Sequence, residues 1–188
     1  MNNLGNLTYL LQIHQQCEFA IFSYGKMRKA AIINYPINGA KFWYYAQSML
    51  NSAANISKFL WSFDDKDKYS EERKEIRKLL GVKNDSPLKN RKVRNCIEHY
   101  DERLLAWAKK IKENEVFTDA CIGTESSYNE YSFTPFRYYT KDTNTIYYKK
   151  YTFKIDEMLN EIVMIKDKCL KILDGYGLKV NGDYMGSY

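Results

Sequence analysis

The sequence predicts a mainly helical fold, with about four long helices, one short helix and a β-hairpin inserted before the last helix. Three observations carry this. Apolar residues recur at helical spacing over extended stretches near 4–30, 46–61, 90–114 and 155–173. Pro36, Gly81, Pro87 and Gly175 stand at the edges of those stretches, where helices start or stop. Between Phe117 and Phe153 the helical period fades, and tyrosine, phenylalanine and β-branched residues crowd together as they do in strands.

Leu7, Leu10, Leu11, His14, Cys17, Ile21 and Tyr24 share one stripe, which predicts a first helix over roughly 4–30. His14 lies inside that stripe, where a packed, hydrogen-bonded core histidine is expected. The Tyr35-Pro36 step ends the pattern, because a residue before proline is pushed out of the helical region. Ala46, Met49, Leu50, Ala53, Ile56 and Leu60 define a second long helix ending near Trp61, with small residues that permit close packing. The charged run from Asp64 to Arg73 reads as a solvated loop leading into a short helix at about 70–80. Ser70 is its candidate N-cap, followed three residues later by Arg73 instead of the glutamate of a capping box, and Gly81 stops it.

After Pro87 the pattern predicts one long amphipathic helix to about Asn114. Val93, Ile97, Tyr100, Leu104, Ala108 and Ile111 fall within a stripe of roughly 100°, the width of a core-facing side. The tetrapeptide Lys141-Asp-Thr-Asn144 reads as the turn of a hairpin with strands near 133–140 and 145–153. Ile155, Leu159, Ile162, Val163, Cys169, Leu170 and Leu173 mark the final helix, which Gly175 and Gly177 stop before a frayed tail.

A chain of 188 residues suits one domain with a full core. With 45% apolar and 28% charged residues it lies near globular averages, which argues against wholesale disorder and against a membrane protein. A net charge of +6 and a pI near 8.9 lean mildly toward polyanions, short of the charge of a dedicated nucleic-acid binder. The amino terminus lacks a signal peptide's basic start and apolar run, and no apolar stretch approaches the ~18 residues of a membrane span, so a cytoplasmic protein is expected. Cys17, Cys96, Cys121 and Cys169 show no C-x-x-C pairing and read as reduced, largely structural thiols. Two isolated histidines make no zinc signature, and no glycine-rich phosphate loop is present. A mechanism without metal or cofactor is the simpler expectation.

The densest chemistry lies in residues 91–103, RKVRNCIEHYDER, which hold one of the two histidines. On a helix, Arg94, Asn95, Glu98, His99 and Glu102 lie opposite the apolar stripe, with Asn95 and His99 one turn apart and Arg94 and Glu98 likewise. On spacing alone this reads as a solvated face laced with Glu–Arg pairs worth a few tenths of a kcal/mol each. The functional alternative is that a guanidinium and an imidazole flank an anion, which requires a second surface, naturally that of a dimer partner. The hairpin offers another contact, since Arg137, Lys141, Lys149 and Lys150 are mixed with tyrosines. Aromatic platforms beside cations are what single-stranded nucleic acids stack and pair on, although most such hairpins are sheets with one packed face.

The string Arg94-Asn95-Cys-Ile-Glu98-His99 resembles the R-x4–6-H signature of the HEPN superfamily, in which a polar residue commonly follows the arginine. The surrounding run 98–104 and the upstream run 47–61 resemble one group of stand-alone bacterial HEPN-like proteins. That resemblance implies an antiparallel helical bundle that dimerises with its motif helices face to face, and metal-independent RNA cleavage in active members. It casts His99 as the group that moves protons and Arg94 as the charge that stabilises a phosphorane. Asn95 would orient the imidazole or a phosphate, with Glu98, Asp101, Glu102 and Arg103 lining the substrate or dimer cleft. A toxin or antiviral effector would take RNA as substrate, and an antitoxin or nucleotidyltransferase-like protein as partner. Two alternatives stay open: a non-catalytic HEPN module binding RNA, a nucleotide or a partner protein, and an unrelated helical interaction protein.

Overall fold

A computed structural model of the chain describes residues 3–32, 39–62, 67–112, 118–130, 135–149 and 151–180. It is mainly helical, with a small four-stranded sheet toward the carboxyl end. Helices α1 (Asn3–Ile32) and α2 (Gly39–Leu60) pack along their length, and α7 (Ile155–Gly175) lies against α1. The buried residues of α1 include Leu10, Ile13, Cys17, Ala20 and Met27, and those of α2 include Phe42, Ala46, Met49, Ala53, Ile56 and Leu60. The α2 series alternates steps of four and three, and the α1 series does so up to Ala20 before a full seven-residue step to Met27, the seam that lets two helices interdigitate. The six residues read as the second stripe are all buried. In α7, Val163 is exposed, while Met158 and Ile165 join the core in its place.

His14 is packed into this core at 3% exposure, as its place in the stripe predicts. Its Nε2 lies 3.9 Å from Glu18 Oε1, too far for a hydrogen bond. Burial lowers its pKa against the raising effect of Glu18, with Lys166 lowering it further. Below about pH 6.5 the unfolded chain therefore binds a proton that the folded chain resists, so stability falls as the pH drops. A urea midpoint that falls between about pH 7 and pH 5 is expected, with a smaller fall in His14→Gln; equal falls would remove His14 as the cause.

Helix α3 (Ser70–Leu80) anchors through Ile76 and Leu80 and ends at Gly81, whose φ of 70° closes the helix with Val82 N–H donating to the Arg77 carbonyl. Ser70 is inside this helix and does not cap it. Tyr69 holds the cap position, and Asp67 instead accepts from Tyr69 N–H at 2.9 Å and pairs with Arg73. The missing capping-box glutamate is thus explained: Arg73 reaches back to an acid that precedes the helix.

The sheet has the order β1-β2-β3-β4. The expected hairpin is present as β2 (Arg137–Thr140) and β3 (Thr145–Tyr148), joined at residues 141–144. Two features go beyond it. The long second strand divides, because Lys149 takes a φ of 50° and turns the chain into β4 (Tyr151–Lys154), with Tyr148 opposite Tyr151. Before β2, the four-residue β1 (Ala120–Gly123) and the short helix α6 (Glu125–Glu130) add a parallel edge. The expected strand start at 133 lies outside the described residues.

Gly123 sits where β1 meets the buried Tyr138. A Cβ there would overlap the Tyr138 hydroxyl and come within 3.0 Å of a ring carbon. Gly123→Ala is expected to cost about 2 kcal/mol, partly recovered when Tyr138→Phe removes the hydroxyl. Urea denaturation of the two single variants and the double variant measures this; an unchanged midpoint in Gly123→Ala would rule out the close approach.

Candidate functional site

The motif segment begins with two successive caps. Ser86 Oγ accepts from Leu88 N–H at the 3-10 turn Pro87–Lys89, and Asn90 Oδ1 accepts from Lys92 N–H at 3.0 Å to start α4 (Arg91–Glu98). Leu88 and Cys96 are buried and hold the segment against α2 and the core. One long helix was the expectation; the structure breaks it. Residue 99 leaves helical geometry at φ −115° and ψ 37°, and the chain resumes as α5 (Tyr100–Ala108). The helix stops at Ala108, short of the expected end near Asn114, a residue that itself lies outside the described ones.

The break has an evident packing cause. Cys96 and Ile97 serve the helical core, whereas Tyr100 and Trp107 must meet Phe136, just before β2, at ring distances of 5.4 and 5.6 Å. A single non-helical residue rotates the second half onto that target. Trp107 consequently packs inward and Ala108 is exposed, the reverse of the expected stripe. The Asn95 carbonyl still accepts His99 N–H at 3.3 Å, and takes Arg103 Nε at 3.1 Å as a second donor.

His99 therefore occupies the apex of a bent helix. Its side chain is 53% exposed, with Nδ1 3.5 Å from Glu102 Oε2. Glu98 forms an ion pair with Lys58 of α2. Asp101 is exposed in the first turn of α5, and Asn95 is half-buried one turn before His99. The side chain of Arg94 lies outside what the structure describes.

Arg103 is the best-anchored of the motif's described cations. Besides the Asn95 carbonyl, its guanidinium lies 5.3 Å from the ring centre of Tyr151, and its own carbonyl accepts Lys149 Nζ at 2.9 Å. Lys92 Nζ lies 5.9 Å from the same ring. Burial first, then Lys110 and Arg103, holds the Lys149 ammonium below the ordinary lysine range. Of the described hairpin cations proposed as nucleic-acid contacts, Lys149 reaches the motif through the Arg103 carbonyl and Arg137 through the Tyr100 ring. Arg137, whose side chain is 13% exposed, packs against Trp43 and Tyr100, at 4.7 and 5.5 Å from the ring centres, and pairs with Asp119 at 3.2 Å. Lys141 is exposed at the β2–β3 turn, and Lys150 lies outside the described residues.

Lys58, Lys92, Lys110 and Tyr151 were not singled out from the sequence. Their approach depends on the helix break and on the turn that Lys149 makes after β3, for which the symmetric run Tyr148-Lys-Lys-Tyr151 is the one local hint. A polar cleft of about 750 Å³ opens at the start of α4, lined by Ser57, Trp61, Lys74, Arg77, Lys89 and Asn90 among others. All four cysteines are buried and free; burial pushes the Cys169 thiol up to about 12 and raises Cys17 and Cys96 as well. No helix among the described residues is long and apolar enough to cross a membrane. Comparison with known proteins gave no match to a family model, to a curated protein or to a solved structure.

Proposed function

We propose that this chain is a metal-independent endoribonuclease of the HEPN type. The observation that carries the reading is the placement of His99 at the apex of the α4–α5 break, half-exposed on a segment that also bears Arg94 and Asn95. An imidazole exchanges protons near neutral pH, and a guanidinium offers a fixed planar fork for phosphate oxygens. The ribose 2′-oxygen attacks the adjacent phosphorus as histidine takes its proton. The P–O2′ bond forms, the P–O5′ bond breaks and the departing O5′ receives a proton. Arg94 stabilises the phosphorane, and Asn95 orients the imidazole or a phosphate.

In this reading α1, α2, α4–α5 and α7 form an antiparallel bundle. A second copy sets its motif helix against the first, so that base and acid come from two His99 side chains. Glu98, Asp101, Glu102 and Arg103 line that cleft. The protein is cytoplasmic and acts as a toxin or antiviral effector, restrained by an antitoxin or nucleotidyltransferase-like partner. One observation favours a second reading, a non-catalytic nucleotide-binding module: the cleft at the start of α4 presents Lys74, Arg77 and Lys89 beside the Trp61 ring.

The deciding experiment incubates the purified chain with a mixed RNA pool in excess chelator and reads the fragment ends. Ends bearing a 2′,3′-cyclic phosphate, or its opened form, that vanish in His99→Ala support the nuclease. Equal background in both proteins moves the assignment to the binding module.

A further inference from the structure

Four cations from three separate segments converge beside the motif. Lys92 comes from the first turn of α4, Arg103 from α5 and Lys110 from just beyond it, and Lys149 from the turn into β4. Lys92 and Arg103 lie against the ring of the half-buried Tyr151, Lys149 reaches the Arg103 carbonyl, and Lys110 is near enough to act on Lys149. The charged groups acting on Lys149 are both cations, Lys110 and Arg103. Crowding like charges opposes the compact state, and a strained turn holds this one in place, since Lys149 has left-handed φ while its ammonium is tied to the Arg103 carbonyl. A polyanion would offset that repulsion. An aromatic ring among the cations suits a strand whose bases are unpaired, because a duplex offers no free base face to stack.

We propose that this surface holds single-stranded RNA, with Lys92, Arg103, Lys110 and Lys149 against phosphates and a base stacked on Tyr151. Arg103 is one helical turn from His99, with its N–H donating to the His99 carbonyl at 3.1 Å. A strand held here would pass within one helical turn of the residue that bears the imidazole. The choice of RNA rests on the nuclease reading, whereas the binding itself does not require cleavage.

The test measures binding of a fluorescent oligouridylate of about 12 nucleotides by anisotropy across a salt series, with the full-length His99→Ala protein as parent so that no substrate is consumed. Lys92 and Lys110 are exposed, and reversing both to glutamate is expected to weaken binding at least tenfold and to lower the log–log salt slope by about 0.7 per cation. Tyr151→Leu keeps the apolar packing and is expected to weaken binding by about five- to 100-fold without changing that slope. Circular dichroism establishes that the variants fold. The proposal is overturned if the parent does not bind, or if both variants bind as the parent does. It is equally overturned if the parent binds a duplex of the same length, or anionic phospholipid vesicles, as tightly as the single strand. Binding that depends on Tyr151, in a wild-type protein that cleaves nothing, would sink the nuclease reading alone.

Discussion

His99→Ala is expected to slow RNA cleavage by about 10³-fold or more, the loss that follows when a positioned proton-transfer group is removed. Two such groups per dimer would disappear together, since one substitution changes both copies. Arg94→Ala should cost a comparable factor, because charge stabilisation of a phosphorane commonly contributes about 10²–10³. Arg94→Lys restores charge without the planar fork and should recover only part of it. Asn95→Ala should cost less, because it acts through the imidazole or one phosphate contact. Folding is not expected to change in His99→Ala: the side chain is half-exposed at a helix break, and none of the core packing of α4 or α5 passes through it. Single-turnover cleavage in chelator, with helix content and sedimentation measured on the same samples, separates these effects. A variant that cleaves like the wild type would refute the assignment of His99, and joint loss of helix content and activity would mark a structural role.

Much of the helical frame was legible because local signals and burial agree there. The stripe from Ala46 to Leu60 is the buried face of α2, and Gly81 stops α3 in the left-handed conformation that glycine adopts without cost. The turn at residues 141–144 was legible for the same reason, as polar residues interrupt two aromatic runs. The bend at His99 was not. Its cause is non-local, since Phe136 recruits Tyr100 and Trp107 from a helix whose own sequence keeps an unbroken period. Strand β1 escaped detection because four residues carry no usable alternation, and its parallel pairing with β2 spans an intervening helix.

The motif residues divide the same way. Spacing placed Glu98, His99 and Glu102 on the outer face, and they are exposed there. It did not show that Arg103 turns back to cap the Asn95 carbonyl, because that acceptor is partly released only by the break. Arg137 is drawn inward for a different reason. A guanidinium stacks on aromatic rings as readily as on bases, and Trp43 and Tyr100 supply them within the protein.

Asn144→Ala should destabilise the chain by about 3 kcal/mol, because this residue ties the sheet to two helices through one buried amide. Its Oδ1 accepts from the Tyr139 hydroxyl at 2.8 Å, while Nδ2 donates to Tyr24 Oη of α1 at 3.0 Å and to Asp156 Oδ1 of α7 at 2.5 Å. Arg28 extends the network by donating to Tyr139 Oη at 3.1 Å. The backbone adds a second requirement, since Asn144 has φ of 45°, which asparagine tolerates better than alanine does. Two further variants divide the cost. Asn144→Gly relaxes the backbone but still loses the amide, so it should recover only about 1 kcal/mol of the alanine penalty. Asn144→Asp keeps the acceptor for Tyr139 yet sets a carboxylate against Asp156. One of that pair would then hold its proton to higher pH when folded than when unfolded, so this variant should gain stability as the pH falls through that raised pKa. Urea denaturation of the three variants at two pH values reads all of this. If glycine restored full stability, the backbone alone would be the constraint, and the amide would not join α1, the sheet and α7.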